Sequence, residues 1–446
     1  MTHSTHLLVY PFSSSGHIIP LLDLTDTLLR RGLTITVVIS PLNLQLLDPL
    51  LSSHPSTLHK LLSPDPEINL SSHPLISKVI STQKQFDPIV KWFRSHPSPP
   101  VAIISDFFLG WTSELASQLG IRRVVFNPSG VFGISIIQTM WRDAAENNAY
   151  NGVDKDDNSL VSFPEIPSSP EFQMWQLPTV SRNFKKGDPD YESVRKGMLS
   201  NMTSWGSVYN TFEDLEKTYM DHMKKQMGHD RVWAVGPLLP KDGTARGGAS
   251  AAPPHELLTW LDNKPDESVV YICFGSRTTL NENQMSALTG ALELSNVNFI
   301  LCAKGSDSAF KERVGDRGFI VEGWAPQLAI LRHRAVGSFV THCGWNSTLE
   351  GISAGVMLLT WPMGADQYAD EKLLVDELGV GKRACEGRPD NVPDSVELAR
   401  LLDESMSGEI LERVKVKELS QAAKKAVNGG SSIRDLDMFV KLICEL

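Results

Sequence analysis

Cysteine is scarce in this sequence, and its distribution excludes two common roles. Only five of the 446 residues are cysteine, and no two of them form a CxxC pair. A disulfide-stapled fold needs paired cysteines, and a zinc site needs cysteines at close spacing. We therefore predict neither a disulfide framework nor a zinc site, and a reducing compartment fits the chain best.

Positive charge is also in deficit. Lys and Arg number 42 against 52 Asp and Glu, so the formal net charge is -10. A protein that binds nucleic acid presents a basic face to the phosphates. The charge balance therefore predicts no nucleic-acid partner, although a single local site can still hold a small anion.

Long apolar runs are missing as well. A membrane-spanning helix needs about 18 or more apolar residues in succession, and the sequence has no such stretch. The N-terminal residues, MTHSTHLLVYPF, carry neither a basic leader nor a small-residue cleavage site, so no signal peptide is expected. We expect a cytoplasmic protein without a transmembrane segment, and a monomer.

What the sequence does contain is a repeated alternation of strand and helix patterns. Short apolar runs rich in β-branched residues predict strands, and helical spacing lies between them. The predicted strands are 7–12, 33–40, 101–105, 123–127, 269–274, 298–303, 319–322, 336–342 and 356–361. The predicted helices are 18–31, 110–119, 282–294, 348–355, 367–378 and 433–446. This alternation predicts an α/β protein with parallel, doubly wound sheets.

The length and a change in composition predict two domains. A chain of 446 residues can bury two good cores, and residues 238–254 have the Gly, Ser and charged composition of an exposed linker. We predict an N-terminal domain over 1–237, the linker over 238–254, a C-terminal domain over 255–428 and a last helical segment over 429–446. Two such domains would leave a ligand-binding cleft between them.

The densest group of polar residues follows a predicted buried strand. His342, Asn346, Ser347 and Glu350 stand where that strand gives way to a helix. Backbone N–H groups and the positive end of the dipole make a helix start suitable for a phosphate. The alternative is that Ser347-x-x-Glu350 is a capping box that satisfies the helix end without a ligand. His342 can likewise be structural.

A second glycine turn, Phe274-Gly275-Ser276-Arg277-Thr278, follows the first strand of the C-terminal domain. Its backbone can approach a phosphate closely, although such a turn occurs in many α/β domains. The sequence contains neither a Walker motif nor a GxGxxG fingerprint followed by an acidic residue. These absences argue against an ATPase and against a dehydrogenase.

His17 and Asp106 each follow a predicted strand of the N-terminal domain. Because the carboxyl ends of parallel strands meet at one edge of a sheet, both side chains can face the same ligand site. A carboxylate that orients an imidazole makes a general base. The alternative is that Asp106 caps the following helix while His17 is merely exposed.

The region from Trp324 to Gln367 resembles the signature box of plant family 1 UDP-dependent glycosyltransferases. It contains Trp324-Ala325-Pro326-Gln327, the string Thr341-His342-Cys343-Gly344-Trp345-Asn346-Ser347, and a closing Asp366-Gln367 over a span of 44 residues. Further matches, such as Gly16-His17 and Val235-Gly236-Pro237, extend the resemblance over both domains.

The resemblance implies a GT-B fold, in which two Rossmann-like domains face each other across a cleft and the last helix crosses back to the first domain. The donor, UDP-glucose, would bind in the C-terminal half. The residues so assigned are Trp324, Ala325 and Gln327 for uracil and ribose, Glu350 for the ribose hydroxyls, His342, Asn346, Ser347, Ser276 and Thr278 for the diphosphate, and Trp345, Asp366 and Gln367 for the sugar.

The resemblance also implies the reaction. His17, oriented by Asp106, would take the proton from an acceptor hydroxyl, whose oxygen would displace UDP with inversion and without a metal or cofactor. Gln367 favours glucose, while rhamnose or xylose donors, C-glycosides and a non-catalytic nucleotide-sugar binder stay open. A small phenol such as a flavonoid would suit an apolar slot. The aromatic residues considered for that slot, each with a core role as the alternative, are Phe12, Phe107, Phe108, Trp111, Phe132, Trp141 and Trp175.

Overall fold

The chain folds into two compact units, each with its own parallel sheet. This computed structural model describes residues 5–65, 73–144, 157–240, 254–303, 308–408 and 410–446. The first unit comprises Met1–Leu239 together with Ala426–Leu446, and the second comprises Pro240–Lys425. Most of the predicted linker, residues 241–253, lies outside the described residues.

The first unit is built on a seven-stranded sheet whose strand pairs are parallel. The order is β3-β2-β1-β4-β5-β8-β9. Its strands are β1 (His6–Tyr10), β2 (Thr34–Ile39), β3 (Leu58–Leu62), β4 (Ala102–Asp106), β5 (Arg122–Asn127), β8 (Gly206–Tyr209) and β9 (Val232–Ala234). A short antiparallel hairpin joins β6 (Leu160–Ser162) and β7 (Glu171–Gln173). β1 and β4 are buried along their whole length, as expected for central strands covered on both faces.

Helices connect these strands. They are α1 (Ser15–Leu29), α2 (Leu44–Ser53), α3 (Pro74–Gln83), α4 (Phe86–Ser95), α5 (Thr112–Leu119), α6 (Val131–Asp143), α7 (Thr179–Arg182), α8 (Pro189–Ser200) and α9 (Glu213–Met227). Shorter 3₁₀ turns lie at Pro41–Asn43, Phe107–Leu109, Met174–Gln176 and Asn201–Thr203. Helix α6 is buried almost throughout, and the Glu216 carboxylate accepts hydrogen bonds from its first backbone N–H groups, those of Val131 at 3.0 Å and Phe132 at 2.8 Å.

The last helix of the chain, α18 (Ser431–Cys444), packs on the first unit. Ser432 Oγ donates a hydrogen bond to the Gly236 carbonyl at 2.6 Å, and the Ala234 N–H donates to Asp435 Oδ2 at 2.8 Å. Phe439 and Trp233 are in ring contact, with their centroids 5.1 Å apart. These contacts place α18 in the same hydrophobic core as the edge strand β9.

The second unit has a six-stranded sheet, also parallel, in the order β12-β11-β10-β13-β14-β15. Its strands are β10 (Val269–Cys273), β11 (Asn298–Cys302), β12 (Gly318–Val321), β13 (Val336–Thr341), β14 (Met357–Thr360) and β15 (Gly381–Arg383). Its helices are α10 (Pro254–Asp262), α11 (Glu282–Leu294), α12 (Ser308–Val314), α13 (Gln327–Leu331), α14 (Trp345–Ala354), α15 (Gln367–Lys372), α16 (Ser395–Ser405) and α17 (Leu411–Val427). A 3₁₀ turn lies at Gly315–Arg317.

The predicted elements agree with this architecture, with two differences that bear on the site. The helix predicted over 348–355 begins three residues earlier, at Trp345, after an N-cap at Gly344. The helix predicted over 367–378 stays α-helical only to Lys372 and continues as a π-helical turn, Leu373–Glu377. In the described part of the chain, no helix has the length and apolarity needed to cross a membrane.

Candidate active site

His17 and Asp106 form a direct hydrogen bond. His17 Nδ1 lies 2.8 Å from Asp106 Oδ2, and the carboxylate is fully buried whereas the imidazole side chain is 17% exposed. The other carboxylate oxygen, Oδ1, accepts from the Phe108 N–H at 2.9 Å. Asp106 therefore holds the imidazole and caps the following 3₁₀ turn at the same time, one oxygen for each task.

The sheet brings this pair together. Strands β1 and β4 are parallel neighbours, with Tyr10 in register with Ser105, so the loops that follow them leave the same edge of the sheet. His17 lies in the first turn of α1, where its N–H donates to the Ser14 carbonyl at 2.8 Å. Asp106 ends β4 and is the N-cap of the 3₁₀ turn Phe107–Leu109, which we call the dyad turn.

Aromatic rings fix the plane of the His17 imidazole. Phe107 and Phe108 stack on it with centroids 5.7 and 5.0 Å away and interplanar angles of 19° and 25°. Phe12 meets it edge-on at 5.5 Å. Of the aromatic residues considered for an acceptor slot, four are buried in the core: Phe12, Phe107, Phe132 and Trp141. Phe108, Trp111 and Trp175 are partly exposed.

A cavity opens beside the loop that carries His17. Its volume is about 300 Å³, and it lies at the carboxyl ends of the first strands of the sheet. Among its lining residues are Tyr10, Ser13, Ile18, Asn43 and Gln85. Burial raises the pKa of Tyr10 to about 12, so its hydroxyl stays protonated at neutral pH. The cavity combines apolar walls with hydroxyl and amide groups.

In the second unit, the loop after β13 turns sharply into α14. Cys343 has a left-handed backbone, with φ of 65°, and Gly344 is the N-cap. As a glycine, Gly344 has no side chain with which to cap the helix start. Ser347 is therefore the third residue of the helix rather than its cap, and the capping-box interpretation of Ser347 and Glu350 is wrong.

His342 lies between the two glycine loops of the predicted donor site. A Cβ added at Gly275, where φ is 75°, would lie 2.7 Å from His342 Nε2, and one added at Gly344 would lie 2.5 Å from it. Only glycine leaves room for the imidazole at these two positions. Burial lowers the pKa of His342 to about 4, so the ring is neutral at neutral pH. Its Nδ1 is buried and has no hydrogen-bond partner in the described ranges.

Gln327 is hydrogen-bonded to two other predicted donor residues. Its Nε2 donates to Glu350 Oε2 at 2.7 Å and lies 2.8 Å from Ser347 Oγ. On the other side, Tyr271 OH donates to Gln327 Oε1 at 3.3 Å. Glu350 is buried, with 5% of its surface exposed. The amide thus helps to orient this carboxylate, which lies in the middle of α14.

The remaining predicted donor residues lie in the same unit. Gln367 Oε1 accepts from the backbone N–H groups of Met363 at 2.7 Å and Gly364 at 3.1 Å, so its carbonyl oxygen holds its own loop. Its amide nitrogen is the group it can offer to a sugar. The others differ in exposure: Ser276 is exposed, Thr278, Trp324, Asn346 and Asp366 are partly exposed, and Ala325 and Trp345 are buried.

Comparison with known proteins decides the family. A family model described as UDP-glucoronosyl and UDP-glucosyl transferase matches residues 200–384. The flavonol 3-O-glucosyltransferase UGT89B1 of Arabidopsis thaliana is 44% identical, over 99% of this chain and 97% of its own length. The chain belongs to the UDP-glycosyltransferase family.

Solved structures of other UDP-glycosyltransferases share the fold. Arabidopsis thaliana UGT89C1 complexed with UDP-L-rhamnose matches with a TM-score of 0.81 at 36% identity, over 99% of this chain and all 100% of that one. Medicago truncatula UGT71G1 complexed with UDP-glucose matches with a TM-score of 0.86 at 26% identity, covering 99% and 98% of the two chains. The predicted GT-B class, with two Rossmann-like domains, is confirmed.

This glycosyltransferase also has a residue beside the predicted donor site that the sequence did not single out, Tyr271. Tyr271 carries the one hydroxyl of an otherwise apolar strand, VVYIC. A polar group in so buried a run was the signal that could have indicated it.

Among the described residues, no cluster of three or more His, Cys, Asp or Glu side chains is placed to hold a metal ion. The monomeric state and the cytoplasmic location stay predictions.

Proposed function

We propose that this UDP-glycosyltransferase transfers glucose from UDP-glucose to a hydroxyl of a flavonoid-like phenol. The observation that carries the proposal is the 2.8 Å hydrogen bond between His17 and the buried Asp106, beside a cavity in the first unit. Support for the acceptor class comes from relatives. One is a flavonol 3-O-glucosyltransferase, and another, UGT89C1, was solved in complex with quercetin, matching with a TM-score of 0.80 at 35% identity.

His17 acts as the general base in this proposal. With Nδ1 engaged by Asp106, the proton of a neutral ring stands on Nδ1 and Nε2 is left to accept the proton of the acceptor hydroxyl. As it loses this proton, the acceptor oxygen attacks the anomeric carbon from the side opposite UDP, so the configuration inverts. A phenol suits this chemistry because its pKa near 10 makes it easier to deprotonate than an alkyl alcohol.

The second unit binds the donor in this proposal. Trp324 stacks on uracil, the backbone of Ala325 reads the base, and Glu350, held by Gln327, accepts from the ribose hydroxyls. The diphosphate meets the start of α14, His342, Asn346 and Ser347, with Ser276 and Thr278 on the glycine turn. Trp345, Asp366 and Gln367 face the sugar.

The leaving group requires no metal or other cofactor in this scheme. The departing UDP gains negative charge, and backbone N–H groups at a helix start together with a buried imidazole donor can stabilise that charge where it develops. We therefore expect the transfer rate to be unchanged by an excess of a chelator such as EDTA. A rate that collapses with EDTA and returns with a divalent cation would contradict this part of the proposal.

Rhamnose is the second candidate sugar, because the solved relative UGT89C1 was crystallised with UDP-L-rhamnose. The two donors are distinguished by incubating the protein with quercetin and either UDP-glucose or UDP-rhamnose, with the products identified by mass spectrometry. We expect glucose transfer to be the faster. Product NMR should show a β-linked glucoside from the α-linked donor, and an α-linked product would exclude single displacement.

The base assignment is tested with His17→Ala and Asp106→Asn. We expect both to lower kcat for quercetin at least about 100-fold, within the range that a positioned acid or base contributes. UDP binding, measured by calorimetry, should stay within about twofold of wild type because neither residue lies in the donor-binding unit. Undiminished transfer by His17→Ala would overturn the assignment.

A further inference from the structure

Arg123 is a buried guanidinium in the first unit that the reaction scheme above does not use. It lies on β5 with 4% of its surface exposed. Its Nε donates to Ser105 Oγ at 3.0 Å and to Thr112 Oγ1 at 2.8 Å, and Nη2 donates to Asn201 Oδ1 at 2.9 Å. Nη1 is buried without a hydrogen-bond partner in the described part of the chain. A buried cation that is incompletely paired stabilises a fold poorly, which suggests another reason for its presence.

Two of the side chains that are hydrogen-bonded to Arg123 also bond to the two ends of the dyad turn. Thr112 Oγ1 donates to the Leu109 carbonyl at 2.6 Å. Asn201 Nδ2 donates to the Phe107 carbonyl at 2.9 Å. The guanidinium is therefore linked to the first and last residues of the turn through one intermediate side chain each.

The dyad turn in turn sets the surroundings of the His17 ring. Asp106 directly precedes the turn and is fastened to it by the Phe108 N–H at 2.9 Å. Phe107 and Phe108, both within the turn, stack on the imidazole. A shift of the turn would move the carboxylate and both stacked rings together, so the position of the base depends on what holds the turn.

The charge of Arg123 is also placed to act on the dyad. Burial lowers its pKa to about 9, and the charge of Asp106 opposes that shift, so the guanidinium is still a cation at neutral pH. A buried carboxylate costs free energy unless an opposite charge or hydrogen bonds compensate it. On α5 and α8, Glu114 and Lys196 are exposed and pair with each other at 3.3 Å.

We propose that Arg123 is a positioning residue for the His17–Asp106 dyad and acts through Thr112 and Asn201 on the dyad turn. The inference rests on the proposed function, because its main effect is on the transfer step. In this proposal Arg123, which lies inside the first unit, affects the rate of transfer and does not affect binding of the donor.

Two variants test the relay. Arg123→Lys keeps a positive charge but loses the planar fork that reaches several partners at once. Asn201→Asp is nearly isosteric and keeps an acceptor for the guanidinium, but it removes the N–H donor to the Phe107 carbonyl. Because Asn201→Asp leaves Arg123 paired, a loss of activity in this variant reports a shift of the turn and not the loss of a partner for the buried guanidinium.

The steady-state readout is the division of the effect between kcat and KM. We expect each variant to lower kcat for quercetin glucosylation about 10- to 100-fold, since a misplacement of about 1 Å can cost that much. The KM for quercetin and the calorimetric Kd for UDP should stay within about twofold of wild type. If kcat in both variants stays within twofold of wild type, the proposal is overturned.

A second readout needs no substrate. The Nδ1 proton that His17 shares with Asp106 can be observed by NMR in histidine-labelled full-length protein and assigned by its loss in His17→Ala. We expect this resonance to move or broaden in Arg123→Lys and Asn201→Asp, and an unchanged resonance contradicts the proposal. Because this measurement is independent of the acceptor, it decides the role of Arg123 even if wild-type protein does not glucosylate quercetin.

Arg413→Met is the matched control. Arg413 is buried to a similar degree, with 2% exposure, and pairs with Glu267 at 2.6 Å inside the second unit. This variant loses a buried guanidinium outside the dyad network, so it reports the effect of destabilisation alone. We expect its kcat within about twofold of wild type and its His17 resonance unchanged. A loss of kcat equal to that of Arg123→Lys would show that the effect is general.

Discussion

The amide nitrogen of Gln327 donates a hydrogen bond to the carboxylate of Glu350, with 2.7 Å between Nε2 and Oε2. The two residues come from different helices: Gln327 begins α13, and Glu350 lies in the middle of α14. The carboxylate is buried, so protein groups such as this amide, rather than solvent, set its direction. The pair therefore prearranges the acceptor that we propose for the ribose hydroxyls.

Removal of that amide should weaken nucleotide binding. In Gln327→Leu, the charged Glu350 carboxylate loses the hydrogen bond that the amide donates to it. A hydrogen bond to a charged group contributes about 1.5–3 kcal/mol. We expect the Kd for UDP to rise about 10- to 100-fold, as measured by calorimetry. Wild type should bind 2′-deoxy-UDP with a higher Kd than UDP, and this difference in Kd should be smaller in the variant.

Gln83→Leu serves as the control for this prediction. Gln83 is a partly buried glutamine of the first unit whose Nε2 donates to Ser193 Oγ at 3.0 Å. Its variant should bind UDP as wild type does. A ribose-hydroxyl penalty that is the same in wild type and in Gln327→Leu would argue against the role given to Glu350.

The glycine at position 275 should be required for donor binding. In Gly275→Ala the new Cβ would lie 2.7 Å from His342 Nε2 and would push the imidazole out of place. We expect the Kd for UDP to rise about 10-fold, which corresponds to about 1.4 kcal/mol. Calorimetric titration with UDP measures this directly.

Gly32→Ala separates the clash from backbone strain. Gly32 also has a positive φ, 85°, but a Cβ there would meet no atom within 4 Å. Both alanine variants should lose about 1–2 kcal/mol of unfolding free energy, because a left-handed backbone disfavours a side chain. Only Gly275→Ala should lose affinity for UDP, and equal affinity losses would remove the clash as the cause.

His342 should make the fold sensitive to acid. The pKa of its imidazole lies near 4 in the folded chain, against an ordinary value of 6.5. Between these values the unfolded chain binds the proton and the folded chain does not, so the free energy of unfolding rises with pH in this window and falls as the solution is acidified. The full loss from above pH 6.5 to below pH 4 is about 3 kcal/mol.

Urea denaturation of wild type and His342→Gln at pH 7 and pH 4.5 checks this prediction. The variant should lose less stability on acidification than wild type. Burial also lowers the pKa of His6, so the wild-type curve alone is not diagnostic and the difference between the two proteins is the relevant quantity. Parallel losses in both proteins would contradict the assignment to His342.

Glu216 should stabilise the first unit through the start of α6. Its carboxylate accepts from two backbone N–H groups there, and replacement by an amide leaves one of them facing an NH₂ group. We expect Glu216→Gln to lower the free energy of unfolding by about 1–3 kcal/mol. Glu213→Gln, on the same helix but exposed and paired with Lys217, should change it by less than about 0.5 kcal/mol. Equal effects would exclude a capping role.

The sequence allowed the main site features to be predicted where a buried strand ends in a polar loop. His17 and Asp106 could be assigned to the same sheet edge because the carboxyl ends of parallel strands meet there. The sequence analysis treated capping of the following turn and orientation of the imidazole as alternative roles for Asp106. In the structure the same carboxylate does both, since Oδ1 accepts from the Phe108 N–H while Oδ2 bonds to the imidazole. That outcome depends on side-chain geometry that only the folded loop defines.

Other features needed tertiary information. Local preference favours a hydroxyl or amide side chain at a helix N-cap, yet Gly344 takes that position because a Cβ there would clash with His342. The edge strand β3 was not predicted, since His59 and Lys60 stand exposed in the middle of it. The contact between Arg123 and Asn201 joins residues 78 positions apart and follows from no local pattern.

The position of α18 has a consequence for synthesis of the protein. Because this helix shares the core of the first unit, that unit is assembled from the two ends of the chain and the second unit is inserted between them. The ribosome must therefore release all of the second unit before the sheet edge at β9 receives its cover. A chain truncated after residue 425 would hold the whole second unit but a first unit without α18, so Trp233 would lose its ring contact with Phe439.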